Sequence, residues 1–399
     1  MRVAVPNRRS ILEKAKAADL RPQGVDGKRL QNVLDRAKKF FRRPSRHADE
    51  SVERHMSLMA QSVERRDWQA ARDHALALGL LGEQLGDPGL VKKAGRGLRR
   101  LGAGNRAWQL IASSKQVPGR PEWDGSDLAG RRLAVERREG DLAIFLQFAS
   151  LLGPVIAAAD RCTVFVEPRL APLYRRTYPA LDVRLEGEGE VAAMDADVFA
   201  CFETLAKHFW PDEPTARAPF LPLEPDRRMV AQLRRTYLDR GPGPLIGFAW
   251  GSLNKSKDLP ALDDWRALLG NLPGRFISMQ YGDVGPALSE FERWAPGRII
   301  HDASVDQLSD MDRFAAQIAA LDAVVTISNT GANLAGALSV PTVVMLDDGF
   351  RLSWPAFGET VATYPSVRLV RKGGQAWASA MQEAGKRVME IVGGVGDGR

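Results

Sequence analysis

The chain has 399 residues, 44% of them apolar, which is more than one core usually serves; two or three folded domains are expected and a disordered chain is excluded. A net charge of +7, with 26% charged residues, favours acidic partners: nucleic acid, anionic lipid or a phosphorylated small molecule. The two cysteines, Cys162 and Cys201, both lie in apolar stretches, which argues against a disulfide framework and fits core packing in a reducing cytoplasm.

The first 20 residues lack the long apolar centre of a signal peptide, and no apolar run reaches the roughly 18 residues a membrane span needs, so the expected location is the cytoplasm. Residues 1–116 read as helical throughout, rich in Ala, Leu, Arg and Glu. Within them "KRLQNVLDRAKKFFRRPSRH" (28–47) places Leu30, Val33, Leu34 and Phe40 at helical spacing on a basic segment. It is either a solvated helix or one lying peripherally on an anionic inner membrane face. "RRDWQAARDHALAL" and "GAGNRAWQLIASS" each set an alanine after a short polar turn, Ala71 and Ala107, 36 residues apart. That period is near the tetratricopeptide helix pair, with an irregular helical domain as the alternative.

"VPGRPEWDGSDLAG" (117–130) is a linker, and strand and helix patterns then alternate. A first Rossmann-like domain is expected over 126–226: strands at 131–137, 162–167 and 196–202, one long helix in "DLAIFLQFASLLGPVIAAA", and a further helix in "RLAPLYRRTYP". After the Pro-rich "WPDEPTARAPFLPLEP" a second is expected over 240–399, with strands at 244–250, 275–281, 322–328 and 341–347 and a helix at 311–321. The fold class is α/β with a doubly wound parallel sheet in each domain.

Open parallel sheets bind ligands at the carboxyl ends of their strands, so the strand-to-helix turns hold the candidates. After the first strand, Gly140 and Asp141 open a helix; Asp141 either caps that helix or serves as a general base in the interdomain cleft. In "FAWGSLNKSKDLPALDDW" Gly251 and Ser252 permit a tight turn, while Lys255 and Lys257 offer cations to a phosphorylated ligand or stay solvated. "SMQYGD" ends a strand at Met279 and Gln280, whose backbone and amide groups could read a nucleobase edge. In "ISNTGANLAGAL" Asn329, Thr330 and Gly331 precede a helix whose dipole favours an anion, and Gly336 lets that helix pack closely. A plain packing turn accounts for Asn329 and Gly331 but not for the whole cluster.

No G-x-G-x-x-G follows a strand and no P-loop occurs, so dinucleotide redox chemistry lacks its usual support. The five histidines have no metal-site spacing, and no basic and aromatic residues interleave as a nucleic-acid motif would. Neither a metal nor a nucleic-acid partner is expected.

Taken in order, "GDLAIFLQFASLL", "FAWGSLNKSKDLP", "FISMQYGD" and "MDRFAAQIAALDAVVTISNTGANLAGALSVPTVVMLD" resemble the GT-B fold glycosyltransferases related to heptosyltransferases. The likeness is greatest to the bacterial group with tetratricopeptide repeats ahead of the transferase. It spans about residues 126–375, and "LSWPAFGETVATYPSVRLVRK" resembles the family's Trp loop and following strand. The resemblance implies two facing Rossmann-like domains. It implies transfer of a sugar from a nucleotide-activated donor, with no further cofactor, to a glycan, lipid-linked or protein acceptor. Lys255, Lys257, Asn329, Thr330, Gly331 and Asn333 would lie around the donor diphosphate, and Asp141 would be the base. Relatives commonly have histidine at Asn333 and an acid at Ser328; an amide donates a hydrogen bond but carries no charge. Those departures leave three readings: tolerated changes, a different donor, or a GT-B scaffold without activity that recruits a partner through its helices. A nucleotide-sugar epimerase is a further alternative.

Overall fold

A computed structural model describes residues 46–188, 195–211, 217–349, 354–355 and 358–394. Nearly all of the basic segment 28–47 lies outside the described residues. The described residues begin with four antiparallel helices: α1 (Arg46–Glu64), α2 (Trp68–Gln84), α3 (Pro88–Arg100) and α4 (Gly104–Ser113). One turn design joins them three times. Arg66, Gly86 and Gly102 take the left-handed conformation (φ 58°, 62° and 80°). The next residue's N–H then closes onto a carbonyl five residues back: Asp67 on Ser62, Asp87 on Gly82 and Ala103 on Leu98. Asp67 and Asp87 go on to cap the following helix, each accepting from an N–H three residues on at 3.0 Å. Ala71 and Ala107 are each the fourth residue of the second helix in a pair, and both are fully buried.

Arg66 is the one non-glycine among the three turn residues, and a left-handed backbone costs a Cβ-bearing residue about 1 kcal/mol. Arg66→Gly is therefore expected to raise the unfolding free energy by roughly that amount, read as a higher urea midpoint with an unchanged m-value. Between α1 and α2, His55 Nδ1 and His74 Nδ1 lie 3.2 Å apart, within hydrogen-bond distance. Burial, then His74, then Arg54 push the His55 pKa below its ordinary value. Its folded pKa is below its unfolded pKa of about 6.5, so its contribution is intact above pH ~6.5 and lost as pH falls through the folded value. The protection factors of the α1 and α2 amides should fall below pH ~6.5, and His55→Gln should flatten that dependence.

The first α/β unit comprises β1 (Arg132–Glu136), α5 (Leu142–Phe148), α6 (Leu152–Ala158), β2 (Arg161–Val166), α7 (Ala171–Thr177), β3 (Asp182–Leu185), β4 (Val198–Cys201) and α8 (Phe202–Phe209). Its sheet is parallel in the order β3-β2-β1-β4, with Val135 opposite Val164 and Ala200. The single long helix expected after β1 is instead broken by a 3-10 turn at Ala149–Leu151. Pro154 explains the break, because it has no N–H for the Ser150 carbonyl and its ring crowds that carbonyl.

Helix α9 (Arg227–Leu238) leads into the second unit: β5 (Leu245–Ala249), α10 (Leu262–Asn271), β6 (Arg275–Ser278), α11 (Gly285–Trp294), β7 (Ile299–Ile300), α12 (Met311–Ala319), β8 (Ala323–Ile327), α13 (Thr330–Ala337), β9 (Thr342–Leu346), β10 (Thr360–Val361), β11 (Tyr364–Arg371) and α14 (Trp377–Gly394). The sheet order is β10-β11-β9-β8-β5-β6-β7, parallel except where β10 runs against β11. Chain order reverses direction at β5 and β8, and the crevice of a doubly wound sheet opens at such a switch point.

The pieces are tied together. Trp108 of α4 is fully buried, edge-on to Phe148 (5.1 Å between ring centres) and 5.4 Å from Trp210, while the Arg99 guanidinium lies 4.5 Å from the Trp210 ring. One apolar core runs from Trp108 and Ile111 through the first sheet to Ile277, Met279 and Val324 of the second unit. Across the two units α5 packs on α13, and Arg176 binds Asp312 with both carboxylate oxygens engaged. The Leu223 N–H donates to the Ala337 carbonyl at 2.8 Å.

Candidate functional site

The β8–α13 turn sits at the switch point. Asn329 is extended and caps α13: its Oδ1 accepts from the Ala332 N–H at 2.9 Å, and its Nδ2 donates to Thr326 Oγ1 at 3.2 Å. The amides of Thr330 and Gly331 come before the first intrahelical bond, so this end of the helix presents N–H groups with no partner inside the helix. Gly336 is needed for packing: a Cβ there would fall 2.6 Å from the Tyr364 ring.

Ser328 and Asn333 turn inward. The Trp354 indole Nε1 donates to Ser328 Oγ at 2.8 Å. Asn333 is 3% exposed; its Nδ2 donates to the Asn329 carbonyl at 3.1 Å and its Oδ1 accepts from the Tyr364 hydroxyl at 3.4 Å. Both side chains therefore belong to a buried polar lattice beneath the turn. Their partners Trp354 and Tyr364 stand in the Trp-containing tail, the one sequence signal that could have found them.

The β5 loop reaches the same place. Lys257 Nζ donates to the Ser328 carbonyl, joining the two loops across the switch point. Ser252 Oγ accepts from the Asn254 N–H at 3.2 Å, and Lys255 stands on the exposed tip beside Leu253, which is 74% exposed. Gln280 is 6% exposed and its Oε1 accepts the N–H groups of Trp250 and Gly251 at 3.1 and 2.6 Å. Met279 is buried in the core at 1% exposure. These two residues brace the loop from below.

An acidic group missed in the sequence lies on the other side. Asp258 is bound by Lys372 and by Trp377 Nε1 at 3.3 Å, and the Lys372 bond first of all holds its carboxyl below the usual range. Lys257, Asp258, Ser328, Asp347 and Trp377 line a shallow open recess at the ends of β8 and β9. Among the described residues no group of three or more His, Cys, Asp or Glu side chains is arranged to hold a metal. Among them also no helix is long and apolar enough to cross a membrane.

On the first unit, Asp141 is exposed and caps α5, its Oδ1 accepting from the Ala143 N–H at 3.0 Å. The helix it caps packs on α13, so the Gly140–Asp141 turn and the Asn329–Gly331 turn open the two helices that meet between the units.

No family model matches the chain. Protein FlbA of Caulobacter vibrioides is 32% identical over 300 residues, covering 68% of this chain and 49% of FlbA, so the chain spans about half the length of that curated relative. Among solved structures, a glycosyl transferase family 9 protein from Veillonella parvula overlaps 67% of this chain and 99% of its own at 12% identity and a TM-score of 0.49. The ADP-heptose LPS heptosyltransferase II of E. coli overlaps 66% and 98% at 14% identity and 0.46. An O-GlcNAc transferase of Thermobaculum terrenum overlaps 89% and 91% at 14% identity and 0.28. The topology itself is α/β, two Rossmann-like units meeting through α5 and α13 behind a helical region.

Proposed function

We propose that the chain is a glycosyltransferase that moves a sugar from a nucleotide-activated donor to a glycan, lipid-linked or protein acceptor. The observation that carries this reading is the junction at the switch point of the second sheet. There Lys257 ties the β5 loop to the turn whose Asn329, Thr330 and Gly331 open α13, and α13 packs on the helix that Asp141 opens. The Thr330 and Gly331 amides, Asn329, Gly251, Ser252 and the ammonium groups of Lys255 and Lys257 would meet the donor diphosphate without a bound metal. Asn333 would act from below, holding the Asn329 carbonyl, and Met279 and Gln280 would fix the loop that the nucleoside approaches.

In this reading the Asp141 carboxylate takes the proton from an acceptor hydroxyl. The acceptor oxygen bonds to the anomeric carbon as the bond from that carbon to the phosphate oxygen breaks. The electron pair leaves with the nucleoside diphosphate, and attack from the far side inverts the anomeric centre. The inward-turned Ser328 and Asn333 favour a second reading, a GT-B scaffold that binds a partner but turns nothing over. Incubating the full chain with hexosyl and heptosyl nucleotide sugars and measuring released nucleoside diphosphate separates the two: release supports transfer, and binding without release supports the scaffold.

A further inference from the structure

Resting on the assignment of Asp141 as the base, we infer that Arg137 is its positioning residue, with Glu186 as the anchor that holds Arg137. Arg137 directly follows the end of β1. Its Nε and Nη2 meet both oxygens of Glu186 at 2.9 and 2.7 Å, a bidentate pair with fixed geometry. Glu186 lies just past β3, and its backbone N–H is bonded to the Val166 carbonyl at 2.9 Å, so the anchor is itself part of the sheet edge. The remaining arm, Nη1, donates to the Gly140 carbonyl at 2.8 Å, and the guanidinium lies 5.2 Å from the Phe145 ring of α5. One side chain thus ties the ends of β1 and β3, the turn and α5.

The turn has little other freedom. Gly140 has φ +99°, and a Cβ there would fall 2.6 Å from Ile144 Cγ1. Asp141 is the next residue, so its carboxylate is placed by what holds the Gly140 carbonyl. The adjacent Arg138 faces elsewhere, pairing with Glu122 and Glu136 and donating to the Lys115 carbonyl. A base has to come within about 2.6–3.2 Å of the hydroxyl it deprotonates. A misplacement of ~1 Å can cost about a hundredfold in rate.

The test uses the full chain with whichever nucleotide sugar the wild type consumes, and compares Arg137→Lys and Glu186→Gln with Asp141→Asn. Arg137→Lys keeps the charge and loses the fork. Its turnover is expected to fall about 10- to 100-fold with the donor KM unchanged. Added to Asp141→Asn it should slow the enzyme no further, because a positioning residue acts only through the group it positions. Amide exchange at 141–144 should quicken while that of α13 stays as in the wild type. Additive losses in the double variant, or turnover unchanged by Arg137→Lys while Asp141→Asn abolishes it, would overturn the inference. If Asp141→Asn itself leaves turnover intact, the base assignment fails and takes this inference with it. If no nucleotide sugar reacts, the transferase reading fails instead, and exchange alone decides: an unchanged rate at 141–144 overturns the clamp.

Discussion

Replacing Trp108 by alanine is expected to lower the unfolding free energy by about 3–5 kcal/mol, the range for deleting a buried large aromatic side chain. Trp108 belongs to the helical region by sequence and to the first α/β unit by packing, against Phe148 and Trp210. Its loss should do more than leave a cavity. The Arg99 guanidinium, buried to 2% exposure and stacked on the same indoles, has no hydrogen-bond partner for Nε or Nη2 among the described residues. Removing Trp108 would strip it of half its stacking. Guanidinium unfolding of Trp108→Ala is best set beside Leu253→Ser, which alters an exposed side chain and should stay within about 0.5 kcal/mol of the wild type. Equal costs for the two variants would mean that the helices and the first unit do not share a core.

Asp141→Asn should reduce sugar transfer by about 10²–10⁴-fold with little change in donor affinity or stability. The structure makes this substitution clean. Asp141 is also the α5 cap, and asparagine caps as well as aspartate, so the Ala143 N–H keeps its acceptor. What disappears is the capacity to take a proton. Kinetics with the reacting nucleotide sugar, together with a melting curve, separate the roles: a fall in turnover with unchanged melting marks the base. A fall in both would leave Asp141 a structural cap, and no change in either would assign the base elsewhere.

The long inner strands were legible because each is a continuous apolar run, as burial on both faces of a parallel sheet demands. Strand β3 was not: it is an edge strand of four residues, only one of them buried, and it has no apolar run to read. The break after α5 turns on the single Pro154, outweighed in the sequence by the apolar pattern around it. At the site, the loops and their order could be read, since Gly, Asn, Ser and Lys cluster at strand ends. The employment of individual side chains could not. Asn333 is committed to Tyr364, 31 residues on, Lys257 to a carbonyl 71 residues away, and Gln280 to amides 29 and 30 residues back. Such long-range pairings depend on how the sheet is wound. Asn333 holds the Asn329 carbonyl from below, which its place in the sequence does not reveal.

The most direct measurement is the melting temperature of the full chain titrated with the common nucleoside diphosphates. A ligand that binds only the folded state stabilises it by about 2.7 kcal/mol at a hundredfold excess over Kd. At least one diphosphate should raise the melting temperature in proportion to the logarithm of its concentration, and Lys257→Ala should weaken that rise. Flat curves for all of them up to millimolar concentration would contradict a diphosphate site at the head of α13.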